Sequence, residues 1–332
     1  MSRVLIVSSY PPRHCGIGAY ARAQVERLRS EGDVVTVLSP RDGDGDVRTG
    51  FFGGRPFFAT ARRGRAYDRI VVHFQPALYF RPRSPMSKIL TSLGLLWLVF
   101  RRRQTEILVH EADRPLRWRP DYLLLMAAFR AAPMLLFHTD EERRALEERY
   151  RVRVRWRLIS HTDGVRLEAP VDRRAARRRL GISEEEPALV SPGFIHPGKG
   201  FDRAVVAFRR AGTGGRLYIV GSVKDPGQKN LAHARLLREM ATDVPGVQFV
   251  ERFVDDEEFD MWIAAADAVI LPYRQSWSSG VLARAQALGI PAVVTRVGGL
   301  AQQASSRDVV VADDEELTKA IARVVSDREV AS

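Results

Sequence analysis

Short apolar runs separated by polar, helix-like stretches recur along the chain. Residues 3–10 and 33–38 form the first two runs, and residues 21–30 between them carry apolar positions at helical spacing. A strand, a helix and a second strand in this order predict a parallel sheet with right-handed crossovers. Further strands are predicted at 68–75, 106–111 and 134–137. The first half of the chain is therefore predicted to be a doubly wound α/β domain.

The second half repeats this alternation. The pattern predicts strands at 188–191, 216–221, 247–250, 268–271 and 292–295, and helices at 202–211, 229–241, 256–266 and 279–288. A chain of 332 residues is long enough for two cores. We place the boundary within 160–187, which divides the chain into domains 1–165 and 166–332, and leave open a C-terminal helix that packs back on the first domain. Two such domains are expected to face each other across a cleft.

The composition is that of a globular protein, with 45% hydrophobic and 28% charged residues. The chain enters a strand pattern directly after Met1, so we expect no signal peptide. Its one cysteine, Cys15, favours a reducing compartment. The longest apolar run, 93–100, is too short to span a bilayer. These features predict a cytoplasmic protein.

The net charge of +12 lies entirely in the first half. Residues 1–165 hold 29 Lys and Arg against 17 Asp and Glu, whereas residues 166–332 hold 23 of each. A one-sided basic surface attracts an anionic membrane, although a solvated arginine-rich surface is an equal alternative. Nucleic acid is not an expected partner, because no recognition pattern accompanies the charge. The apolar helix 89–100 is interpreted as a crossover helix on the sheet, with a membrane-contacting helix as the alternative.

Residues 268–300 predict an anion-binding site. The strand 268–271 ends at Pro272, and Ser278 or Ser279 can cap the helix that follows. Free amides at the start of a buried helix bind anions. Lys199 lies between two glycines just before another helix and can reach an anion without crowding, although the segment is not a Walker A motif. We expect these features to hold a diphosphate.

Polar residues follow several strands of the first half. His73, Gln75 and His110 lie where strands end, and ligands collect at the carboxyl ends of strands in open α/β sheets. Packing roles are an equal alternative for these three residues. We assign His138 to structure, and Thr139 with Glu142 fits a capping box. The acidic residues of 42–46 are interpreted as a solvated loop, so no metal site is expected.

Taken together, these patterns resemble the GT-B-fold retaining glycosyltransferases of family 4 over nearly the whole chain. The resemblance implies two facing Rossmann-like domains with an interdomain cleft. It also implies transfer of a hexose from a nucleotide-diphosphate sugar to a glycan or lipid-linked acceptor, without metal or other cofactor. The matching segments are Pro11–Tyr20, His110–Glu111, Gly193–Gly200 with Lys199 as the phosphate lysine, Asp267, and Ala285–Gly299.

The resemblance assigns catalytic roles to His110, which would meet the donor sugar, and to Lys199. It implies a donor site in the second domain and an acceptor site in the first. Basic charge on the first domain would suit a peripheral position at the inner membrane face. The donor residues are Lys199, Ser278, Ser279, Gly280 and Val281 at the diphosphate, Phe253 and Val254 near the base, and Arg284 near ribose or phosphate; the acceptor residues are Gly16, Gly18, His73 and Gln75.

This chain departs from the family pattern at three positions. Two signature glutamates eight positions apart correspond to Ser276 and Arg284, and an arginine beside the lysine segment corresponds to Phe194. Arg274 or Arg252 could replace that arginine. The missing carboxylates make a catalytically silent scaffold or regulatory protein the alternative, and a GT-B epimerase or phosphorylase a third hypothesis. The retained cations favour the enzyme, because charge develops on the leaving phosphate.

Overall fold

The structure, a computed structural model, describes residues 1–13, 15–111, 119–165, 167, 172–224 and 226–331. The chain divides into two compact units, Met1–Gly164 and Val165–Ser332. Each unit contains one parallel sheet whose strands alternate with helices. The predicted α/β class with two parallel sheets is confirmed.

The described part of the first unit builds a seven-stranded parallel sheet in the order β3-β2-β1-β4-β5-β6-β7. Strands β2 and β3 extend the sheet on one side of β1. After β3 the chain crosses to the other side, where β4 pairs with β1. The central strands β4 and β5 are mostly apolar and buried, except for the partly exposed Arg69 and Glu106, as expected when helices cover both sides of a parallel sheet. Its elements are β1 Arg3–Val7, α1 Gly16–Ser30, β2 Val34–Pro40, β3 Val47–Thr49, α2 Arg55–Arg63, β4 Arg69–Phe74, α3 Pro76–Tyr79, α4 Pro85–Arg101, β5 Thr105–Val109, α5 Pro120–Ala131, β6 Met134–Phe137, α6 Asp140–Tyr150 and β7 Trp156–Leu158.

Helix α1 begins five residues before the predicted start at Ala21. Cys15 has extended backbone angles and occupies the N-cap position, so Gly16 and Gly18 lie in the first turn of the helix. The predicted start was therefore too late, because a helix can begin directly after the cap even when its first turn contains glycine. The predicted capping box of α6 is confirmed, since Thr139 and Glu142 each bond the other's backbone amide.

Helix α4 has one buried and one exposed apolar face. Leu95, Leu98 and Val99 are fully buried, and the helix packs against α2 and α5. The opposite side carries a line of large apolar residues at alternating spacings of four and three, between 38% and 62% exposed. We call this line the α4 stripe: Met86, Leu90, Leu93, Trp97 and Phe100. Packing of α4 within the first unit therefore leaves the α4 stripe exposed.

The described part of the second unit builds a six-stranded parallel sheet in the order β10-β9-β8-β11-β12-β13. Two apolar clusters cover its faces, and α13 packs on α8 and β13 of the same unit. Its elements are α7 Arg173–Leu180, β8 Ala188–Pro192, α8 Phe201–Ala211, β9 Arg216–Gly221, α9 Gln228–Asp243, β10 Val247–Glu251, α10 Asp256–Ala265, β11 Ala268–Leu271, α11 Gly280–Ala287, β12 Ala292–Thr295, α12 Leu300–Gln303, β13 Val309–Val311 and α13 Asp314–Ala331.

A buried ion-pair group ties the ends of the second unit together. The Asp267 carboxylate, 6% exposed, accepts from Arg177 at 2.8 Å and from the Ala188 amide at 2.8 Å, and it also pairs with Arg173 and Arg328. Arg177 is 1% exposed, and its other N–H groups donate to four backbone carbonyl oxygens. We call these residues the Asp267 node. It joins α7, the start of β8, the start of β11 and α13, so the aspartate of the family pattern holds the fold together here.

Candidate functional site

The start of helix α11 is fixed by side chains on both sides of it. Ser279 is the N-cap, and its hydroxyl accepts from the Leu282 amide at 3.3 Å. Gln303 accepts from the Ser279 amide at 2.8 Å and donates to the Ser279 carbonyl oxygen at 2.7 Å. Among the described residues, the amides of Gly280 and Val281 have no protein partner. Of the amides predicted to bind an anion, that of Ser279 is already bonded to Gln303, and those of Gly280 and Val281 remain.

A glycine brings the loop after β12 against the loop before α11. Gly298 has a φ of +51°, and a Cβ at this position would lie 1.7 Å from the Ser276 carbonyl oxygen. The Gly299 amide donates to the Trp277 carbonyl oxygen at 2.8 Å. Only glycine fits this approach. The segment that presents the helix start is thus held from both sides, and Ser278 lies half-buried within it.

Lys199 lies beside the start of α11, with Tyr273 between them. Its Nζ is 3.8 Å from the centroid of the Tyr273 ring. The Tyr273 hydroxyl lies 3.3 Å from the Ser279 hydroxyl, within hydrogen-bonding distance. An ammonium over an aromatic face is attracted by the negative charge of that face. Tyr273 therefore contacts both groups, with its ring under the Lys199 ammonium and its hydroxyl beside the cap residue Ser279. Among the described residues, Lys199 has no carboxylate partner.

The lysine segment is positioned by close backbone contacts with the end of β11. Gly200 has a φ of +64°, and a Cβ here would lie 2.1 Å from the Pro272 carbonyl oxygen. The Gly198 carbonyl oxygen accepts from the Arg274 amide at 2.8 Å. Burial, and then the nearby Lys199 ammonium, lower the pKa of His196 to about 4. His196 is therefore neutral at pH 7, and Lys199 supplies the local positive charge.

The two positions that lack the family glutamates hold different contacts. The Ser276 hydroxyl donates to the Ser278 carbonyl oxygen at 2.9 Å. Arg284 donates to Asp260 at 3.0 Å and to Asp256 at 2.9 Å, which joins α11 to α10. These bonds direct the guanidinium at α10, so a role for Arg284 at ribose or phosphate stays a prediction that its contacts do not favour.

Arg274 and Arg252, considered as substitutes for the family arginine that corresponds to Phe194, already pair with carboxylates. Arg274 forms a two-pronged contact with Asp202, at 2.7 and 2.6 Å, and Arg252 pairs with Glu258. Lys199, in contrast, has no carboxylate partner among the described residues. The sequence did not single out Tyr273 and Gln303, although each contacts the cap residue.

Phe253 and Val254, predicted near a base, differ in exposure. Phe253 is 44% exposed, whereas Val254 is 8% exposed and packs in the core of the second unit. The adjoining residues Arg252 and Asp255 line a depression of about 300 Å³, together with charged residues of α7 and α10. Neither Lys199 nor Ser279 lines this depression. Of the predicted pair, only the Phe253 side chain is substantially exposed.

The first unit collects four histidines at the carboxyl ends of consecutive strands. They belong to or follow β4, β5, β6 and β7, and each ring meets the ring of Tyr20 edge-on, at centroid distances of 5.3 to 5.6 Å. We call this group the histidine cluster: His73, His110, His138 and His161. His73 and His110, each predicted separately as a strand-end site residue, lie 3.3 Å apart between ring nitrogens, and His138, assigned to structure, lies beside them. Sheet order produces this cluster, because the four strands are neighbours in sequence order.

Burial holds the histidine cluster neutral. It lowers the pKa of His73 to about 3 and that of His161 to about 4, and it holds the pKa values of His110 and His138 well below the ordinary range. The other histidines of the cluster lower the last two further. At pH 7 the cluster therefore offers hydrogen-bond donors and acceptors without net charge.

The remaining predicted residues of the first unit differ in exposure: Gly16 is exposed, Gln75 is partly exposed and Gly18 is buried. Nothing lies within 4 Å of a Cβ built at Gly16, whereas Gly18 is buried beside Ser9 and Tyr10. Gln75 donates to Glu111 at 3.0 Å. In the described part of the chain, no three histidine, cysteine, aspartate or glutamate side chains are arranged to share a metal ion.

Comparisons with known proteins point to one class of enzyme. Residues 186–327 match the family model described as Glycosyl transferases group 1. The chain is 36% identical over 187 residues to a D-inositol 3-phosphate glycosyltransferase of a Nocardioides species. That alignment covers 51% of this chain and 40% of the relative. The chain thus spans about two fifths of the length of the curated relative.

Solved structures share the fold across both units. A sucrose-phosphate synthase from Thermosynechococcus elongatus has a TM-score of 0.71 at 18% identity, covering 99% of this chain and 90% of that one. Anabaena HepE in complex with UDP-glucose has a TM-score of 0.64 at 14% identity, covering 100% and 94%. The predicted fold is confirmed: the two parallel α/β units are those of GT-B structures.

Proposed function

We propose that this protein is a glycosyltransferase that moves a hexose from a nucleotide-diphosphate sugar to an acceptor hydroxyl. The proposal extends to the retaining, metal-independent chemistry of family 4. One observation carries it: an ammonium without a carboxylate partner and two amides without protein partners lie on either side of Tyr273 at the α11 start. These are the groups that a diphosphate requires. The family match over residues 186–327 supports the same conclusion.

In the proposed reaction, the bond between the anomeric carbon and the diphosphate oxygen breaks, and that oxygen leaves with the nucleotide. The acceptor hydroxyl oxygen bonds to the anomeric carbon on the same face, and its proton is released. Negative charge grows on the leaving diphosphate as the first bond lengthens. Lys199 and the amides of Gly280 and Val281 would stabilise this charge, and one such donor contributes about 10²–10³-fold in kcat.

The proposed acceptor residues lie in the first unit. Gly16 leaves open space at the helix start, and Gln75 follows strand β4 and is partly exposed. His73 lies within β4 and is fully buried, so its surroundings do not favour direct contact with an acceptor. His110 is proposed to meet the donor sugar. A glycan or a lipid-linked sugar is the proposed acceptor. Because the curated relative is named for D-inositol 3-phosphate, that compound belongs among the acceptors tested first.

Donor binding is testable by thermal denaturation. We expect one nucleotide-diphosphate sugar to stabilise the protein by about 2.7 kcal/mol when present at 100 times its Kd, because it binds only the folded state. The measurement is Tm across a series of UDP-, GDP- and TDP-sugars without added metal. The corresponding nucleoside monophosphates are the control, since they lack the second phosphate.

The catalytically silent scaffold is the second candidate, and Ser276 and Arg284 at the glutamate positions favour it. A Tm that no donor changes would support the scaffold and contradict the enzyme. A donor that raises Tm and is consumed with an acceptor would exclude the scaffold. Release of free sugar or of an isomerised donor without acceptor would indicate the phosphorylase or epimerase class.

We also propose that the first unit docks on an anionic membrane surface through the α4 stripe. No helix in the described part of the chain is long and apolar enough to cross a membrane. The stripe is apolar, α4 has no acidic residue, and Arg81, Arg83 and Arg103 near its ends are exposed. Each cation near an anionic leaflet contributes about 1 kcal/mol. This position would place the protein in the cytoplasm, at the inner membrane face.

A matched pair of variants tests the membrane contact. Leu93 in the α4 stripe is 41% exposed, and Leu236 on α9 of the second unit is 42% exposed. We expect Leu93→Ser to weaken binding to phosphatidylglycerol vesicles by about tenfold, because burying a leucine contributes about 1.5–3 kcal/mol, and Leu236→Ser to leave it unchanged. Co-sedimentation measures both. Equal binding by the two variants, or no binding to any vesicle, would contradict the docking face.

A further inference from the structure

A line of hydrogen bonds leads from helix α1 to His110. The side-chain amide oxygen of Gln24, Oε1, lies 2.9 Å from His73 Nε2, and His73 Nδ1 lies 3.3 Å from His110 Nε2. Gln24 is 3% exposed and His73 is fully buried, whereas His110 is partly exposed. The line therefore begins in the protein interior and ends at a partly exposed histidine.

The direction of these bonds follows from the first acceptor. A carbonyl oxygen only accepts, so His73 Nε2 carries the proton that it donates to Gln24. A neutral imidazole has one N–H, which leaves His73 Nδ1 as an acceptor, and His110 Nε2 must then donate to it. His110 is neutral by the same burial argument, so its Nδ1 has no proton. The side-chain amide of Gln24 thus sets the tautomers of both His73 and His110.

We propose that Gln24 and His73 are positioning residues that hold His110 in the Nε2–H tautomer, with Nδ1 as a hydrogen-bond acceptor for a ligand. Such a group binds a hydroxyl donor, and it disfavours a phosphate oxygen, which is itself an acceptor. For the function of His110 this inference rests on the proposed glycosyl transfer, in which the ligand group is a sugar hydroxyl. For the tautomer it rests on the hydrogen bonds alone.

The surroundings restrict the two rings to this arrangement. The Tyr20 ring lies edge-on to His73 at 5.6 Å and to His110 at 5.4 Å between centroids. The His110 amide donates to the Phe74 carbonyl oxygen at 2.9 Å, which ties the end of β5 to β4. Tyr20 therefore packs against both rings. The His73–His110 contact is therefore built by sheet pairing and aromatic packing together.

Nitrogen NMR of the ¹⁵N-histidine-labelled protein tests the tautomer directly. We expect His110 Nδ1 to resonate as an unprotonated nitrogen and Nε2 as a protonated one, with the His110→Gln spectrum providing the assignment. In His73→Phe and in Gln24→Leu, we expect the His110 signals to move toward a mixture of the two tautomers. His73→Gln, whose amide oxygen can still accept from His110, should restore part of the wild-type pattern.

His138→Phe is the matched control, because the His138 ring also contacts Tyr20 and lies 6.0 Å from the His110 ring between centroids. Within the described part of the chain, the only hydrogen bond of that ring is to the Ile159 carbonyl oxygen. A general packing role would make this variant change the His110 signals as much as His73→Phe does, and that result would overturn the proposal. A protonated Nδ1 on His110 in the wild-type protein would overturn it as well.

Activity separates this inference from the proposed function. If the wild-type protein transfers sugar, His73→Phe and Gln24→Leu should lower kcat by about 10- to 100-fold, the range found when a residue that orients a metal-bound histidine is replaced, while donor-induced stabilisation persists. Loss of kcat without a tautomer change would contradict the positioning role. The expected tautomer in a protein that binds no donor would support the hydrogen-bond line and contradict only the proposed enzyme.

Discussion

Lys199→Ala is expected to weaken binding of the stabilising nucleotide-sugar by about 10- to 150-fold and to lower kcat by at least about 100-fold. A hydrogen bond to a charged group contributes about 1.5–3 kcal/mol, and the contribution grows as charge develops on the leaving diphosphate. The lysine is unusually well placed for this role, because its ammonium rests on Tyr273, 3.8 Å from the ring centroid, beside the α11 cap. The measurements are titration calorimetry with the donor and turnover at saturating donor.

Two further lysine variants define what the result means. Lys199→Arg keeps the charge but replaces a compact ammonium by a larger planar group, so an intermediate loss is expected. Lys319→Ala removes a lysine of the same unit that is exposed and paired with Glu315, and it should change neither quantity. Unchanged donor affinity and turnover in Lys199→Ala would remove the lysine from the proposed site. An equal loss in Lys319→Ala would point to net charge instead of position.

Asp267→Ala is expected to lower the free energy of unfolding of the second unit by about 3–5 kcal/mol, the cost of leaving a buried charge without its partner. Arg177 is 1% exposed, and burial lowers its pKa, so the cation depends on the carboxylate beside it. The variant also leaves the buried Ala188 amide without an acceptor at the start of β8. Urea unfolding, with hydrogen exchange to separate the two units, measures the effect.

The control for this variant is Asp327→Ala on α13. Asp327 pairs with Arg323 at the surface, with its side chain 73% exposed, and a surface pair of this kind contributes about 0–1 kcal/mol. Loss of protection confined to β8 and β11 would support the Asp267 node. A loss of stability no larger than that of the control would show that water replaces the carboxylate, and that the node contributes little.

The sequence predicts β9, β11 and β12 at the residues where they occur, because each is a short, continuous apolar run bounded by turn residues. It does not predict β3, β13 or α2. The two strands have three residues each, too few for a pattern, and the arginine-rich α2 hides its buried face of Phe57 and Ala61. Apolar periodicity therefore locates central elements better than edge elements.

Local chemistry of the candidate site is predictable, whereas its assembly is not. The Ser279 cap follows from a serine before a helical pattern, and the structure places it there. The two hydrogen bonds between Gln303 and Ser279 depend on how loops from different strands pack. The position of the Tyr273 ring between Ser279 and Lys199 depends on the same packing. In the same way His73 and His110 stand out singly as strand ends, but their hydrogen bond depends on the pairing of β4 with β5.

The ion pair between Arg328 on helix α13 and Asp267 affects the order in which the chain folds during synthesis. The first unit has all of its strands once residue 158 has left the ribosome, so it can form its core early. The second unit cannot complete its central ion pairs until Arg328 arrives, because that residue pairs with Asp267 and donates to the Glu184 carbonyl oxygen. A nascent chain stalled before residue 328 would carry a finished first unit and an unfinished second one, exposed to proteases and chaperones.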